Sequence, residues 1–141
     1  MVEQESPVLV RWAELYSVGI AQIDEQHKRL IDLLNELWRA MMEGHGRDHI
    51  GKTLEGLIEY TLTHFEAEEA LMREHHYAGY EAHRLQHEKL AAQVRAMQTD
   101  FNEGHSTTPR ELMLFLQGWI VRHIVASDKK YAPHLHEAGL H

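Results

Sequence analysis

Side chains that commonly bind metal ions recur along the sequence in four ordered groups. The seven side chains are His27, then His64 and Glu68, then His83 and His87, then His123 and Asp128. In the two middle pairs the residues are four positions apart, so on a helix both side chains project from one face, one turn above the other. This spacing predicts four helices folded around one metal site.

The fourth pair fits a regular helix less well. His123 and Asp128 are five residues apart, which rotates Asp128 well past the face that His123 occupies. We therefore expect Asp128 to reach back from a frayed or tightened end of its helix.

Apolar residues recur at three- and four-residue steps along most of the chain, which predicts amphipathic helices. The predicted segments are an irregular N-terminal arm (1–19), helices over 20–43, 48–74, 80–103 and 108–130, and a C-terminal tail (131–141). Short loops between long helices imply antiparallel neighbours. The sequence therefore predicts one all-α domain over 1–141, an antiparallel up-down-up-down four-helix bundle with a site in its core.

Local signals mark some of the helix ends. Asp48 can cap the second helix, and Thr108, Pro109 and Glu111 together form a capping box at the start of the fourth. Pro133 should end the fourth helix, because proline lacks the backbone N–H that a helix interior uses.

Composition limits the chemistry that the domain can support. The sequence has no cysteine, which excludes disulfides and thiolate ligands, so any metal is held by nitrogen and oxygen. The formal charge of −8 argues against nucleic-acid or anionic-membrane partners. No stretch approaches the roughly 18 apolar residues of a membrane span, and the N-terminus does not resemble a signal peptide. We expect a cytoplasmic protein without membrane insertion.

The number of candidate ligands indicates more than one ion. Five imidazoles and two carboxylates exceed the roughly six ligands that one octahedral ion takes. Burying them without metal would cost several kcal/mol each unless every group found a partner, which disfavours a purely structural bundle.

A second His-x-x-x-His pair, His45 and His49, is the main competitor for metal. Gly44 and Gly46 flank His45, so a turn is predicted there instead of a helical chelating pair.

The residues around the seven ligands resemble the hemerythrin family in its bacterial single-domain form. Four ordered blocks carry the resemblance: Trp12 and Ser17 to Lys28; His64 to Glu69 with Met72; Tyr77 with His83 and His87; and Trp119 to Tyr131. The resemblance extends from about Trp12 to Pro133, nearly the whole chain.

This resemblance implies two iron ions (Fe²⁺/Fe³⁺) joined by a bridging oxo or hydroxo group. His83, His87 and His123 would complete one iron, and His27 and His64 would bind the other. Glu68 and Asp128 would bridge the two. With these bridges, one coordination position stays open, on the iron held by His27 and His64.

The function that the resemblance implies is reversible dioxygen binding for storage, transport or local supply, without enzymatic turnover. The expected wall of the dioxygen pocket consists of Phe65, Trp119, Ile120 and Leu30. An oxygen-consuming client protein is a further expected partner.

Two other classes of function stay open. One is sensing of oxygen, iron or nitric oxide, and the other is a diiron oxidase or peroxidase activity. Ferritin-like diiron enzymes use Glu-x-x-His motifs on two helices, and this sequence has none.

Overall fold

The computed structural model describes residues 9–104 and 107–141. Its helices are α1 (Ala21–Met42), α2 (Arg47–Glu74), α3 (Tyr80–Asn102), α4 (Pro109–Arg122) and α5 (Lys129–Glu137), with a 3₁₀ turn at Glu14–Tyr16 and a π-helical segment at His123–Asp128. The described residues contain no strand. The predicted all-α four-helix bundle is confirmed. Its fourth helix is assembled from α4, the π-helical segment and α5 in direct succession.

The start of the fourth helix is capped as predicted. The Thr108 hydroxyl accepts a hydrogen bond from the Glu111 backbone N–H at 3.1 Å, and Pro109 occupies the first turn. The prediction for the second helix was wrong by two positions. Gly46 is the N-cap residue, and Asp48 lies within the first turn, where a carboxylate favours the positive end of the helix dipole.

The predicted end of the fourth helix was also wrong. Helical structure continues to Glu137, with Pro133 inside α5. A proline inside a helix costs about 3 kcal/mol, but the residues around it are buried. Tyr131, Ala132 and Leu135 have at most 7% of their surface exposed, and this burial offsets the lost hydrogen bond.

Two polar side chains of α1, the buried Asn35 and the partly buried Asp24, hold the described part of the N-terminal arm against the bundle. The Asn35 amide oxygen accepts the backbone N–H groups of Leu9 and Val10, and its NH₂ group donates to the Val10 carbonyl. Asp24 accepts the Val18 N–H at 2.8 Å and the Ser17 hydroxyl at 2.5 Å. Residues 9–19 of the predicted arm form one 3₁₀ turn and are otherwise irregular, and these contacts fix them to α1; residues 1–8 of the arm lie outside the described part of the chain.

The buried side chains form two separate apolar clusters. The large apolar cluster includes Leu30, Leu34, Leu37, Leu54, Leu57, Ile58, Leu112, Leu116, Ile120 and Ile124. The small apolar cluster consists of Val18, Ile20, Ile23, Met72, Tyr131, Ala132 and Leu135. On α1, α2 and the fourth helix, the candidate ligands lie between residues of one cluster and residues of the other. The bundle therefore has a polar layer between two apolar ones.

No described helix combines the length and the apolar character that a membrane crossing requires.

Candidate metal centre

All seven predicted ligands project into the polar layer of the bundle. None has more than 6% of its surface exposed, and His27, Glu68 and Asp128 are completely buried. α1 carries His27, α2 carries His64 and Glu68, and the remaining four residues come from α3 and the π-helical segment. The structure therefore brings together the whole set that the sequence singled out.

The ligand atoms fall into two groups that share both carboxylates. The first group contains Glu68, His83, His87, His123 and Asp128, and the second contains His27, His64, Glu68 and Asp128. Within each group the ligand atoms lie within 4.8 Å of one another. Carboxylates that belong to both groups can bridge two ions, so the geometry suits a two-ion site.

The fourth helix presents His123 and Asp128 together because it widens between them. Residues His123–Asp128 form a π-helical segment, in which hydrogen bonds join residues five apart. That spacing places the two side chains on one face. The expectation of a frayed or tightened helix end was wrong, since the turn is widened instead and both residues are buried.

The buried polar atoms lack the partners that a metal-free interior would require. Imidazole Nε2 atoms approach the carboxylates at 2.7 Å (His64 to Glu68) and 2.9 Å (His27 to Asp128, and His123 to Asp128). Even so, among the described residues no contact to the oxygens of Glu68 and Asp128 has hydrogen-bond geometry. Nitrogen and carboxylate atoms that converge without bonding one another suit a cation held between them.

Electrostatics favour the metal-binding protonation state at His87 and Asp128. Burial, together with neighbouring His123 and His83, lowers the pKa of His87 to about 2, so the ring is neutral. Burial opposes ionisation of Asp128, but His123, His27 and His83 outweigh it and hold the pKa of this carboxyl well below its usual value. Neutral imidazole and ionised carboxylate are the metal-binding forms.

At His27 and His83, burial opposes protonation of the imidazole. The carboxylates of Asp128 and Glu68 outweigh burial and raise the pKa of both rings, so a metal ion would displace a proton there.

The family of the chain follows from comparison with known proteins. A family model described as the hemerythrin HHE cation-binding domain matches residues 18–135. The chain belongs to the hemerythrin family. Bacteriohemerythrin of Methylococcus capsulatus is 34% identical over 126 residues, which cover 89% of this chain and 95% of that one. A hemerythrin-like protein of Naegleria gruberi is 27% identical over 125 residues, covering 89% and 92% of the two chains.

A solved structure agrees with the hemerythrin assignment. The crystal structure of a wild-type hemerythrin superposes with a TM-score of 0.85 at 33% sequence identity, and the match covers 91% of this chain and 98% of that chain.

Aromatic rings stack on two of the histidines of the three-histidine group in this hemerythrin-family chain. The Phe65 ring stacks on His87 with centroids 3.9 Å apart, and Trp119 stacks on His123 at 4.5 Å. Phe65 and Trp119 contact each other at 4.9 Å. These two members of the predicted pocket wall therefore lie over His87 and His123.

The other two predicted wall residues, Leu30 and Ile120, are 1% exposed and belong to the large apolar cluster.

Two polar neighbours of the histidines were not predicted from the sequence. The Gln26 side-chain oxygen lies 2.6 Å from His64 Nδ1, and a Glu69 carboxylate oxygen lies 3.0 Å from His87 Nδ1. Both partners accept the Nδ1 proton, which leaves the Nε2 lone pair free for a metal. Each is the sequence neighbour of a different predicted ligand: Gln26 precedes His27, and Glu69 follows Glu68. This adjacency is the only signal in the sequence.

The competing pair does not lie on one helix, because His45 precedes the start of α2. His49 lies in the first turn of α2 and His45 precedes it, with the rings 4.3 Å apart and tilted. His45 is paired with Glu43 at 3.0 Å. Neither histidine belongs to the groups of converging ligand atoms found in residues 9–104 and 107–141.

Proposed function

We propose that this chain holds two iron ions at the seven-residue centre and binds dioxygen reversibly there, for storage, transport or local supply. One observation carries the proposal: two groups of buried ligand atoms share Glu68 and Asp128. Membership in the hemerythrin family supports it, as do relatives named bacteriohemerythrin. A pair of ferrous ions supplies two electrons and an open coordination position, which together are the chemistry of reversible dioxygen binding.

The ligand set would leave room for one small molecule. Five imidazoles, two bridging carboxylates and a solvent-derived oxo or hydroxo bridge would fill all but one of the octahedral positions of two ions. In the proposed division, His83, His87 and His123 serve one ion, and His27 and His64 serve the ion with the open position.

The surrounding side chains would protect that position from water. Leu30 and Ile120 offer no hydrogen-bonding group. Phe65 and Trp119 stack on His87 and His123 and would therefore shield the neighbouring ion. Excluding water and reductants is the protein's main contribution to reversibility.

A binding role fits the donor set better than turnover does. Ferritin-like diiron enzymes surround their ions with carboxylates, whereas this centre has five histidines and two carboxylates. A cytoplasmic location and an oxygen-consuming client protein are further parts of the proposal.

The test is the visible spectrum of iron-loaded protein, with iron counted per chain. The protein is reduced without air, exposed to air and then purged with inert gas. We expect two iron ions per chain and a colour that appears in air and disappears on purging. A His49→Ala variant is the matched control and should behave identically. Colour that forms once and survives purging would favour the oxidase, peroxidase or sensing functions instead.

A further inference from the structure

We propose that Glu69 and Gln26 make the histidine ligands of the two metal positions differ in electron-donating strength. The ion held by His83, His87 and His123 is then the one more stabilised in the ferric state. The proposal rests on the diiron function proposed above. It concerns two residues that are not themselves ligands and act through His87 and His64.

The two positions differ in what accepts the outer proton of a ligand histidine. At the three-histidine position, His87 Nδ1 faces a Glu69 carboxylate oxygen at 3.0 Å. At the two-histidine position, His64 Nδ1 faces the neutral Gln26 amide oxygen at 2.6 Å. The remaining histidine there, His27, is completely buried, and its Nδ1 has no hydrogen-bond partner among the described residues.

A carboxylate and an amide affect an imidazole ligand differently. Hydrogen bonds to an ionised acceptor are roughly twice as strong as neutral ones. A carboxylate draws the Nδ1 proton towards itself, which makes Nε2 more basic and a better donor to a cation. The added negative charge stabilises Fe³⁺ more than Fe²⁺. The Gln26 amide fixes the ring orientation of His64 without adding charge.

Packing fixes the His87 ring that the Glu69 carboxylate contacts. The Phe65 ring lies 3.9 Å from the His87 ring in a parallel stack, which restrains rotation of the imidazole. Glu69 is partly buried, and His87 is its only ion-pair partner within residues 9–104 and 107–141. Two cations, Arg73 and Arg84, lie near Glu69. Arg73 donates a hydrogen bond to the Tyr80 hydroxyl, and Arg84 pairs with Glu81 and Glu88.

The experiment compares the reduction potentials of iron-loaded variants by spectroelectrochemical titration. Glu69→Gln keeps a hydrogen-bond acceptor and removes the charge. We expect the affinity of the three-histidine position for Fe³⁺, relative to Fe²⁺, to fall about tenfold. This change raises the one-electron reduction potential of that ion by about 59 mV. Gln26→Glu adds a carboxylate at the other position and should lower a potential by a similar amount.

Matched controls separate this effect from a general change of charge. Glu66→Gln removes a charge from an exposed position of α2, and Gln22→Glu adds one at an exposed position of α1, one turn before Gln26. We expect each control to shift the potential by less than a third as much as its partner variant.

The outcomes distinguish this inference from the function on which it rests. Wild-type protein that takes up no iron overturns both. Wild-type protein with two iron ions, in which Glu69→Gln and Gln26→Glu shift the potentials in the same direction or no more than the controls do, overturns the inference alone. If Glu69→Gln does not load iron, the sign and size of the Gln26→Glu shift decide.

Discussion

At the scale of single residues, His87 shows how the bundle prepares a ligand. Its Nδ1 is bonded to Glu69, one face is stacked on Phe65, and its Nε2 lies 3.1 Å from His123 Nε2. The low pKa of about 2 keeps the ring neutral. The His87 ring therefore need not lose a proton or rotate far before it binds a metal ion.

Replacing His83 by alanine should weaken iron retention and lower thermal stability, because metal binding and folding are coupled in such sites. We expect fewer than two iron ions per chain. Each 1 kcal/mol lost should lower Tm by roughly 2–8 °C. Iron analysis and thermal denaturation followed by circular dichroism are the measurements. His49→Ala removes an exposed histidine and is the control; values for His83→Ala equal to those of wild type would remove His83 from the site.

A carboxylate at Ile120 should abolish stable dioxygen binding. Ile120 is 1% exposed, and burying an unpaired charge there costs several kcal/mol and attracts water. The air-and-purge spectrum of Ile120→Glu is the measurement, with circular dichroism to verify folding. Ile120→Val, which typically costs 0.5–1.5 kcal/mol, should keep reversible binding. A folded Ile120→Glu protein with unchanged oxygenation would exclude Ile120 from the pocket wall.

At the scale of helices, local sequence signals determined most boundaries. Gly44 and Gly104 adopt positive φ after α1 and α3, and Thr108 with Pro109 begins α4, so these ends agree with the predictions within two residues. α5 was missed because Pro133 is a local signal to stop, whereas the burial of Leu135 depends on residues far away in the sequence.

Leu135→Ala should show whether α5 is an integral part of the bundle. Leu135 is 1% exposed in the small apolar cluster, and such a substitution costs about 2–5 kcal/mol. Urea denaturation measures the free energy of unfolding. The control is Leu114→Ala, because Leu114 is 45% exposed and its loss should change stability by about 0.5 kcal/mol or less. Equal effects of the two substitutions would indicate that α5 does not contribute to the core.

The candidate site was predictable as a set of residues but not as an arrangement. Ligand spacing on each helix follows from the sequence, so all seven side chains could be named in advance. The π-helical segment, Gln26 and Glu69 could not, because their roles depend on how helices rotate against one another after packing. Assignment of the seven as iron ligands stays a prediction until the metal is measured.

At the scale of the whole molecule, the polar layer divides the core into two apolar clusters. Imidazole nitrogens lie 2.7–2.9 Å from its carboxylate oxygens, but among the described residues none of these contacts has hydrogen-bond geometry. Unpaired polar groups in a protein interior lower the free energy of unfolding. The stability of the middle of the bundle therefore depends on the cations that bind there.

Removing iron should therefore destabilise the entire bundle. A ligand present at 1,000 times its Kd adds about 4.1 kcal/mol to stability. We expect a loss of iron to a chelator under reducing conditions to lower Tm by on the order of 10 °C. Thermal denaturation before and after chelation measures this, and adding ferrous iron back should restore Tm. Identical Tm values with and without iron would show that the polar layer is stable by itself.

The widened turn at His123–Asp128 also bears on protein design. In a π-helical turn, side chains five residues apart lie on one face, as side chains four residues apart do in an α-helix. Copying this ligand set into an idealised scaffold of uninterrupted α-helices would therefore require deleting one residue between the histidine and the aspartate. Retaining the natural spacing on a regular helix would turn the carboxylate away from the ions.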